Sequence, residues 1–175
     1  FKLVILGPEA YNRLYAKMGN LNAILAWAHA RAIADLNAEV PASYALTDQF
    51  AAAPLVKRRV AAVCPELRFD QRPRAEADPA VAAASILSRA EFVRRMDELS
   101  RAAGFSLPKG AGDPVVSAGH RLVRDHGAGV LGRFAKLHFR TTAVLLGEDA
   151  GNGANAATTG TADEPATLDS AGSER

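Results

Sequence analysis

The chain has 175 residues, 49% of them hydrophobic, and its 21 Lys and Arg residues nearly balance 19 Asp and Glu residues. This length suits one domain with a sizeable core, and the sequence has no apolar run long enough for a membrane-spanning helix. A single cysteine, Cys64, excludes an internal disulfide, so we expect a cytoplasmic protein in a reducing compartment.

The charge is unevenly distributed along the chain. Residues 148–175 contain six acidic residues and one basic residue, which leaves 20 basic and 13 acidic residues in 1–147. Leu168 is the only large apolar side chain in 148–175, so this segment cannot bury enough surface to offset its ordering entropy. We therefore predict a domain over 1–147 and a disordered acidic tail over 148–175.

The first part of the domain predicts an alternation of strands and helices. Four elements are expected from the spacing of apolar residues and from the breaks between them: a strand over 2–6, helices over 9–18 and 21–37, and a strand over 44–47. This order predicts a βαβ unit with a right-handed parallel crossover. We expect Asn20 to cap the second helix, whereas the role of Asn22 stays open.

The second part is predicted to be mainly helical. Arginine-rich residues 55–74 contain apolar runs that predict short strands at 60–63 and 67–69. Glycine and proline delimit four further elements: a long helix over 79–103, a loop over 105–112, a helix from Asp113 to about Gly127 with Asp113 as its N-cap, and a short helix near 128–134.

Three acidic residues are candidates for a functional site. Asp48 follows a predicted parallel strand, where open α/β sheets place ligands and catalytic groups, although aspartate is also common in turns. Asp78 precedes a proline and suits a helix N-cap, whereas Glu76 has no comparable local role. Carboxylates about 4 Å apart repel by about 4 kcal/mol at an effective dielectric constant near 20. A cluster of them therefore needs a cation, and oxygen ligands favour magnesium or manganese.

Basic candidates lie in two later segments. Lys109 stands between a proline and a glycine. It is either a residue that contacts a phosphate or an ordinary solvated lysine in a loop. Lys136 and His138 alternate with Leu137 and Phe139, so both are expected to face away from the buried side. This pattern indicates either a pair that contacts a nucleic-acid backbone or an edge strand.

Several motifs, taken in order from residue 1 to about 146, resemble the bacterial ribonuclease HIII family. They are Pro8-Glu9, Tyr11-Asn12, Asn20-Leu21-Asn22, Leu25-Ala26-Trp27, His29-Ala30-Arg31-Ala32-Ile33, Thr47-Asp48-Gln49-Phe50, residues 80–89, Met96-Asp97, Leu107-Pro108-Lys109-Gly110-Ala111 and Lys136-Leu137-His138-Phe139. The resemblance implies an α/β, ribonuclease H-like fold with a helical C-terminal part. It also implies an endonuclease that cleaves the RNA strand of RNA–DNA hybrids.

The resemblance further implies that four acidic residues hold two magnesium or manganese ions. These ions would take part in hydrolysis of the phosphodiester bond. Asp48 carries over as one ligand and Glu76 as another, with Asp78 as a reserve because the spacing from Glu76 to Ser85 is one residue shorter than the family pattern. The residues expected to contact the nucleic acid are Lys109, Lys136, His138 and Asn22.

The sequence departs from the family at its beginning. The family's adjacent Asp-Glu pair on the first strand and its N-terminal substrate-binding domain have no counterpart, and the chain opens with Phe1 inside an apolar run. We therefore expect a fragment, the C-terminal portion of the catalytic domain without the first strands of its sheet. Such a fragment is expected to be inactive and poorly folded alone, and the complete protein to be a monomer. The alternative is a non-catalytic nucleic-acid-binding relative that has lost the metal site.

Overall fold

The computed structural model describes residues 1–147, and the predicted acidic tail over 148–175 lies outside the described residues. The helices are α1 (Pro8–Met18), α2 (Leu21–Glu39), α3 (Ala53–Val63), α4 (Pro79–Ala103), α5 (Asp113–His126), α6 (Leu131–Phe134) and α7 (Arg140–Leu145). The strands are β1 (Tyr44–Asp48) and β2 (Arg68–Arg72), and short 3₁₀ turns lie at Ala75–Ala77 and Ala128–Val130. No described helix combines the length and apolar character that a membrane crossing requires.

The predicted helices form where local sequence signals define their ends. Asn20 caps α2, because its side-chain oxygen accepts hydrogen bonds from the backbone N–H groups of Asn22 (2.8 Å) and Ala23 (3.2 Å). The long helix α4 has the predicted bounds and ends at Gly104, whose φ of 75° lies in the left-handed region that glycine adopts readily. Capping and helix-forming residues therefore predicted these two helices correctly.

The prediction for α5 is wrong in one detail. Its N-cap is Gly112, at φ 125°, and Asp113 is the first residue of the helix rather than the cap. The backbone N–H groups of Val115 and Val116 both donate to the Gly112 carbonyl oxygen, at 2.9 and 3.1 Å. The proline that follows Asp113 fits the first turn, where no intrahelical donor is needed.

The strand predicted over residues 2–6 does not form. Residues 1–7 have no regular secondary structure, and within the described part of the chain the sheet consists of β1 and β2. A strand needs a neighbour that pairs with its backbone N–H and C=O groups, and neither observed strand pairs with this segment. Lys2 instead forms an ion pair with Glu39 at the end of α2, and the Phe1 residue is 79% exposed.

The parallel strand pair is formed by β1 and β2, and α3 connects them. Tyr44 lies opposite Arg68 and Asp48 opposite Arg72. The predicted crossover between residues 2–6 and β1 is therefore wrong, and the predicted strand over 67–69 is confirmed in part, since β2 begins at Arg68.

The predicted strand over 60–63 is also wrong, because this segment belongs to helix α3. Val56, Val60 and Cys64 recur every four residues, which places them on one helical face, and they are 0%, 0% and 8% exposed. Ala26 and Ala30 of α2 pack in the same buried cluster with Leu67. This core lies behind the strand pair, and the partly buried Phe50 and Phe69 pack against it.

A second core cluster holds the C-terminal part together. It consists of Ala103, Leu122 and Leu131, and Phe134 and Leu145 are among the partly buried residues packed against it. By contrast, Ala103 is the only buried residue of α4, and Ile86 in the same helix is 70% exposed. The strand pair and the C-terminal helices therefore have separate cores.

Two valines of α3 provide a matched test of this helix. Val60 is fully buried and Val63 is 51% exposed. Val60→Ala is expected to lower the free energy of unfolding by about 2 kcal/mol, through lost burial and a residual cavity. Val63→Ala should change it by no more than about 0.5 kcal/mol. Urea unfolding measures both values, and equal losses for the two variants would contradict the assigned orientation of α3.

Candidate metal and nucleic-acid site

Asp48 occupies the position predicted from the sequence, at the carboxyl end of a parallel strand. It is the last residue of β1, and the next residue, Gln49, still donates its backbone N–H to the Arg72 carbonyl oxygen at 3.1 Å. The Asp48 side chain is exposed and points to the chain segment after β2, because its Oδ1 accepts a hydrogen bond of 3.1 Å from the backbone N–H of Ala75. One carboxylate oxygen therefore anchors a neighbouring turn.

That turn carries Glu76. It is the 3₁₀ turn Ala75–Ala77, closed by a hydrogen bond of 3.2 Å from the Ala77 N–H to the Arg74 carbonyl oxygen. Arg74 has a φ of 57° and is the one non-glycine residue with positive φ in the described part of the chain. A left-handed conformation at arginine is unfavourable, so the contacts around it must stabilise this turn. The bond from Ala75 to Asp48 is one such contact, and it keeps Glu76, the next residue, close to Asp48.

Asp78 has a different local role. Its Oδ1 accepts a hydrogen bond of 2.9 Å from the backbone N–H of Ala80, so it is the N-cap of α4. This confirms the prediction that Asp78, which precedes a proline, is a helix N-cap. One oxygen of its carboxylate is committed to the helix end.

The donors near Asp48 fit a hard cation in type but do not complete a site. Carboxylate oxygens suit magnesium and manganese. Across residues 1–147, however, no three His, Cys, Asp or Glu side chains come together as metal ligands. Thr47 Oγ1 and Gln71 Oε1, from opposite positions of the two strands, are buried and have no hydrogen-bond partner within this same range. The described residues thus provide part of a ligand set, next to buried polar atoms that still lack partners.

An aromatic cluster forms around the second group of candidates, and it consists of Tyr11, Tyr15, Lys136, His138 and Phe139. The His138 ring stacks on Tyr15 with 3.9 Å between ring centroids and lies 4.1 Å from the Phe139 ring. The Lys136 Nζ lies 4.5 Å from the centre of the Tyr11 ring, in cation–π geometry. Lys136 and His138 therefore both contact aromatic rings of α1.

The predicted alternation over residues 136–139 is wrong. The segment is a turn between α6 and α7 rather than an extended strand, and stacking makes His138 half-buried. Leu137 and Phe139 are instead 42% and 46% exposed. Burial lowers the pKa of His138, and the positive charge of Lys136 lowers it further. Burial also lowers the pKa of Lys136.

The two remaining candidates lie on exposed surface. Lys109 stands in the loop after α4, next to Gly110 at φ 96°, and it forms no ion pair or side-chain hydrogen bond with the described residues. Asn22 is exposed in the first turn of α2 and contributes its backbone N–H to the Asn20 cap. Neither residue forms a side-chain hydrogen bond or an ion pair with Asp48 or with the aromatic cluster in the part of the chain that the structure describes.

Sequence reasoning did not assign roles to three residues that the structure places around these candidates. Tyr11 and Tyr15 were expected only as the apolar face of α1, although a four-residue spacing does put them on one side. Asn12 was noted only as part of a motif, and its side chain bonds to the backbone near Lys136. Local sequence gives no signal for such a long-range bond.

Comparisons with known proteins identify the class to which this arrangement belongs. A family model described as Ribonuclease HII matches residues 4–142. Because this is well over half of the chain, the chain belongs to the ribonuclease HII family.

Within that family, the relatives found are named ribonuclease HIII. The protein from Chlamydia pneumoniae is 43% identical over 147 residues, covering 79% of this chain and 47% of the relative. The protein from Protochlamydia amoebophila is 36% identical over 148 residues, covering 85% of this chain and 49% of the relative. The chain spans about half the length of the curated relatives it matches.

A solved structure agrees with both the sequence matches and the fold. The structure of Bst-RNase HIII in complex with Mn²⁺ superposes with a TM-score of 0.75 at 34% identity, covering 82% of this chain and 49% of the other. The resemblance to bacterial ribonuclease HIII and the expected partial α/β fold with a helical C-terminal part are therefore confirmed.

The capping role of Asp78 can be separated from the charge of its carboxylate. Asp78→Ala is expected to lower the free energy of unfolding by about 1 kcal/mol, because the N–H of Ala80 loses its partner. Asp78→Asn should cost only a few tenths of a kcal/mol, since asparagine caps about as well as aspartate.

Urea unfolding of the protein expressed from the complete reading frame measures these differences. Asp97→Ala, an exposed position within the same helix, is the control and should stay within about 0.5 kcal/mol of the wild type. A wild-type stability for Asp78→Ala would contradict the capping role.

Proposed function

We propose that this chain forms part of the catalytic domain of an endoribonuclease that cleaves the RNA strand of RNA–DNA hybrids with Mg²⁺ or Mn²⁺ as cofactor. Three findings support the proposal: membership of the ribonuclease HII family, relatives named ribonuclease HIII, and a similar solved protein in complex with Mn²⁺. The proposed macromolecular partner is an RNA–DNA hybrid.

The position of Asp48 carries this proposal. Its carboxylate stands at the carboxyl end of β1 and accepts a hydrogen bond from Ala75, the residue before Glu76, so two acidic residues from separate chain segments lie at the same end of the strand pair. We assign Asp48 and Glu76 as carboxylates that would hold a divalent ion, and we keep Asp78, which directly follows the turn, as a further candidate. A bound divalent ion would stabilise the negative charge that develops when a phosphodiester is hydrolysed.

Residues 1–147 also provide the charge for a polyanionic partner. They contain 20 basic and 13 acidic residues. We propose that Lys136, His138, Lys109 and Asn22 contact the hybrid. Of these, Lys136 and His138 have defined contacts, because the Tyr11 ring lies beneath the Lys136 ammonium group and His138 stacks on Tyr15. Contacts of this kind neutralise phosphates, so hybrid affinity should fall steeply as salt concentration rises.

The number of ligands predicts how the isolated chain behaves. Two carboxylates are fewer than the four that we expect in a two-metal site, and residues 1–147 do not bring a third ligand to them. The 175-residue chain alone is therefore expected not to cleave hybrids. Cleavage should require the complete reading frame, including any residues encoded before Phe1.

Replacement of Asp48 tests the proposal directly. In the protein expressed from the complete reading frame, Asp48→Asn should slow hybrid cleavage at least about a hundredfold, the scale on which loss of one electrostatic stabiliser slows catalysis. Hybrid affinity should change little, since asparagine keeps the size of the side chain and an oxygen that can accept from Ala75. Cleavage of a labelled hybrid with and without Mg²⁺, Mn²⁺ or a chelator is the measurement.

Asp97→Asn is the matched control, because Asp97 is an exposed aspartate in α4. The Asp97→Asn protein should cleave hybrids at the wild-type rate. Equal cleavage by Asp48→Asn and the wild type would show that Asp48 is not a metal ligand. Salt-sensitive binding without cleavage by the complete protein would instead favour the non-catalytic nucleic-acid-binding relative.

A further inference from the structure

The Asn12 side chain bridges two distant parts of the chain. Its Nδ2 donates hydrogen bonds to the carbonyl oxygens of Gly132 (3.2 Å) and Ala135 (2.9 Å), and its Oδ1 accepts one from the backbone N–H of Leu137 (2.9 Å). Both ends of the amide are therefore used. The bonded residues lie 120 to 125 positions further along the chain, so the contact is tertiary and not a local cap.

These bonds are placed on either side of Lys136. Ala135 provides a carbonyl oxygen immediately before it, and Leu137 provides an N–H immediately after it. Asn12 thus fixes the backbone of the residue between them. Polar groups of a turn that are paired in this way resist displacement, because breaking the bonds leaves backbone donors and acceptors unpaired.

The helix that supplies Asn12 also supplies the rings that receive the Lys136 and His138 side chains. Tyr11 is the preceding residue and is only 4% exposed, and its ring lies 4.5 Å from the Lys136 Nζ. Tyr15, one turn later, stacks on His138. Helix α1 therefore contacts this turn in two ways. Asn12 bonds to the backbone of the turn, and the two tyrosines contact its side chains.

The Lys136 ammonium remains available to an external anion. It forms no ion pair with any acidic residue among 1–147, and its ammonium group lies over the face of the Tyr11 ring. A cation whose backbone and side chain are both held loses less conformational freedom when it binds a phosphate than a free surface lysine does. The arrangement favours one orientation of this charge.

We propose that Asn12 is a positioning residue for nucleic-acid binding, which holds Lys136 in the orientation that contacts a phosphate of the hybrid. The inference rests on the proposed function, in which Lys136 meets the nucleic acid. Both ends of the Asn12 amide are bonded to backbone groups between Gly132 and Leu137, so its effect on affinity would pass through that segment.

A double-mutant cycle on the protein expressed from the complete reading frame, with a chelator present to prevent cleavage, tests this dependence. The dissociation constant for a labelled RNA–DNA hybrid is measured by fluorescence anisotropy at several salt concentrations for the wild type, Asn12→Ala, Lys136→Ala and the double variant. Lys136→Ala should weaken binding and lower the slope of log affinity against log salt by about one. Asn12→Ala should weaken binding roughly threefold or more in the wild-type background, and less than about twofold when Lys136 is already absent.

A control variant and two further measurements separate positioning from simple loss of folding. Asn37→Ala removes another side-chain bond to the backbone, the one that Ala42 donates to Asn37, and should leave affinity unchanged. Asn12→Gln keeps the amide but displaces it by one methylene, and should reproduce part of the loss if Asn12→Ala does not fold. Titration of the His138 ring by NMR should show a higher pKa in Asn12→Ala than in the wild type, because Lys136 moves away from it.

The outcomes distinguish this inference from the proposed function. An equal loss from Asn12→Ala in both backgrounds, or wild-type affinity of a folded Asn12→Ala chain, would overturn the positioning role alone. Wild-type affinity of Lys136→Ala would overturn both the Lys136 contact and the role of Asn12. Hybrid cleavage and its dependence on Asp48 are separate measurements, so either result leaves the nuclease assignment to its own test.

Discussion

The candidate metal site depends on the parallel pairing of β1 and β2. Because the two strands run in the same direction with Asp48 opposite Arg72, both chain segments leave the sheet at one end. The segment after β2 must then turn close to Asp48, and the hydrogen bond from Ala75 to the Asp48 carboxylate fixes that turn. Glu76 comes near Asp48 only through this arrangement. A shift of one residue in the strand register would point Asp48 to the other face and separate the two carboxylates.

The packing behind the strands maintains this register. Val56 and Val60 of α3 are fully buried, and Ala26 and Ala30 of α2 are small enough to let the two helices approach closely. These apolar contacts provide most of the burial near the site, whereas the charged groups stay at the surface. The C-terminal candidates depend on a different connection, in which α1 holds the turn at residues 132–137. Two separate constraints therefore position the Asp48 and Glu76 carboxylates and the Lys136 and His138 side chains.

Much of this structure was predictable from local sequence, and the failures have a common physical cause. The apolar spacing and end signals of α1, α2 and α4 are contained within each segment, so the predicted helices were correct within about two residues.

The predicted strand over 2–6 failed because a strand also requires a neighbour, which local sequence does not specify. The run from Val60 to Val63 resembled a strand, although the spacing of Val56, Val60 and Cys64 favoured a helix. The position of Asp48 followed from its place after a strand. Glu76 was a candidate from its local sequence, and the family resemblance gave it the role of a metal ligand. The bonds of Asn12 join residues more than a hundred positions apart, and the sequence alone contains no signal for them.

The central claim is that Asp48 and Glu76 hold a divalent ion together. Anomalous diffraction at the manganese edge, on crystals of the protein from the complete reading frame soaked in Mn²⁺, tests it most directly. The account predicts an anomalous peak about 2.1 Å from carboxylate oxygens of both residues. A manganese peak coordinated by other side chains while Asp48 remains free, or a peak bound to neither carboxylate, would contradict it.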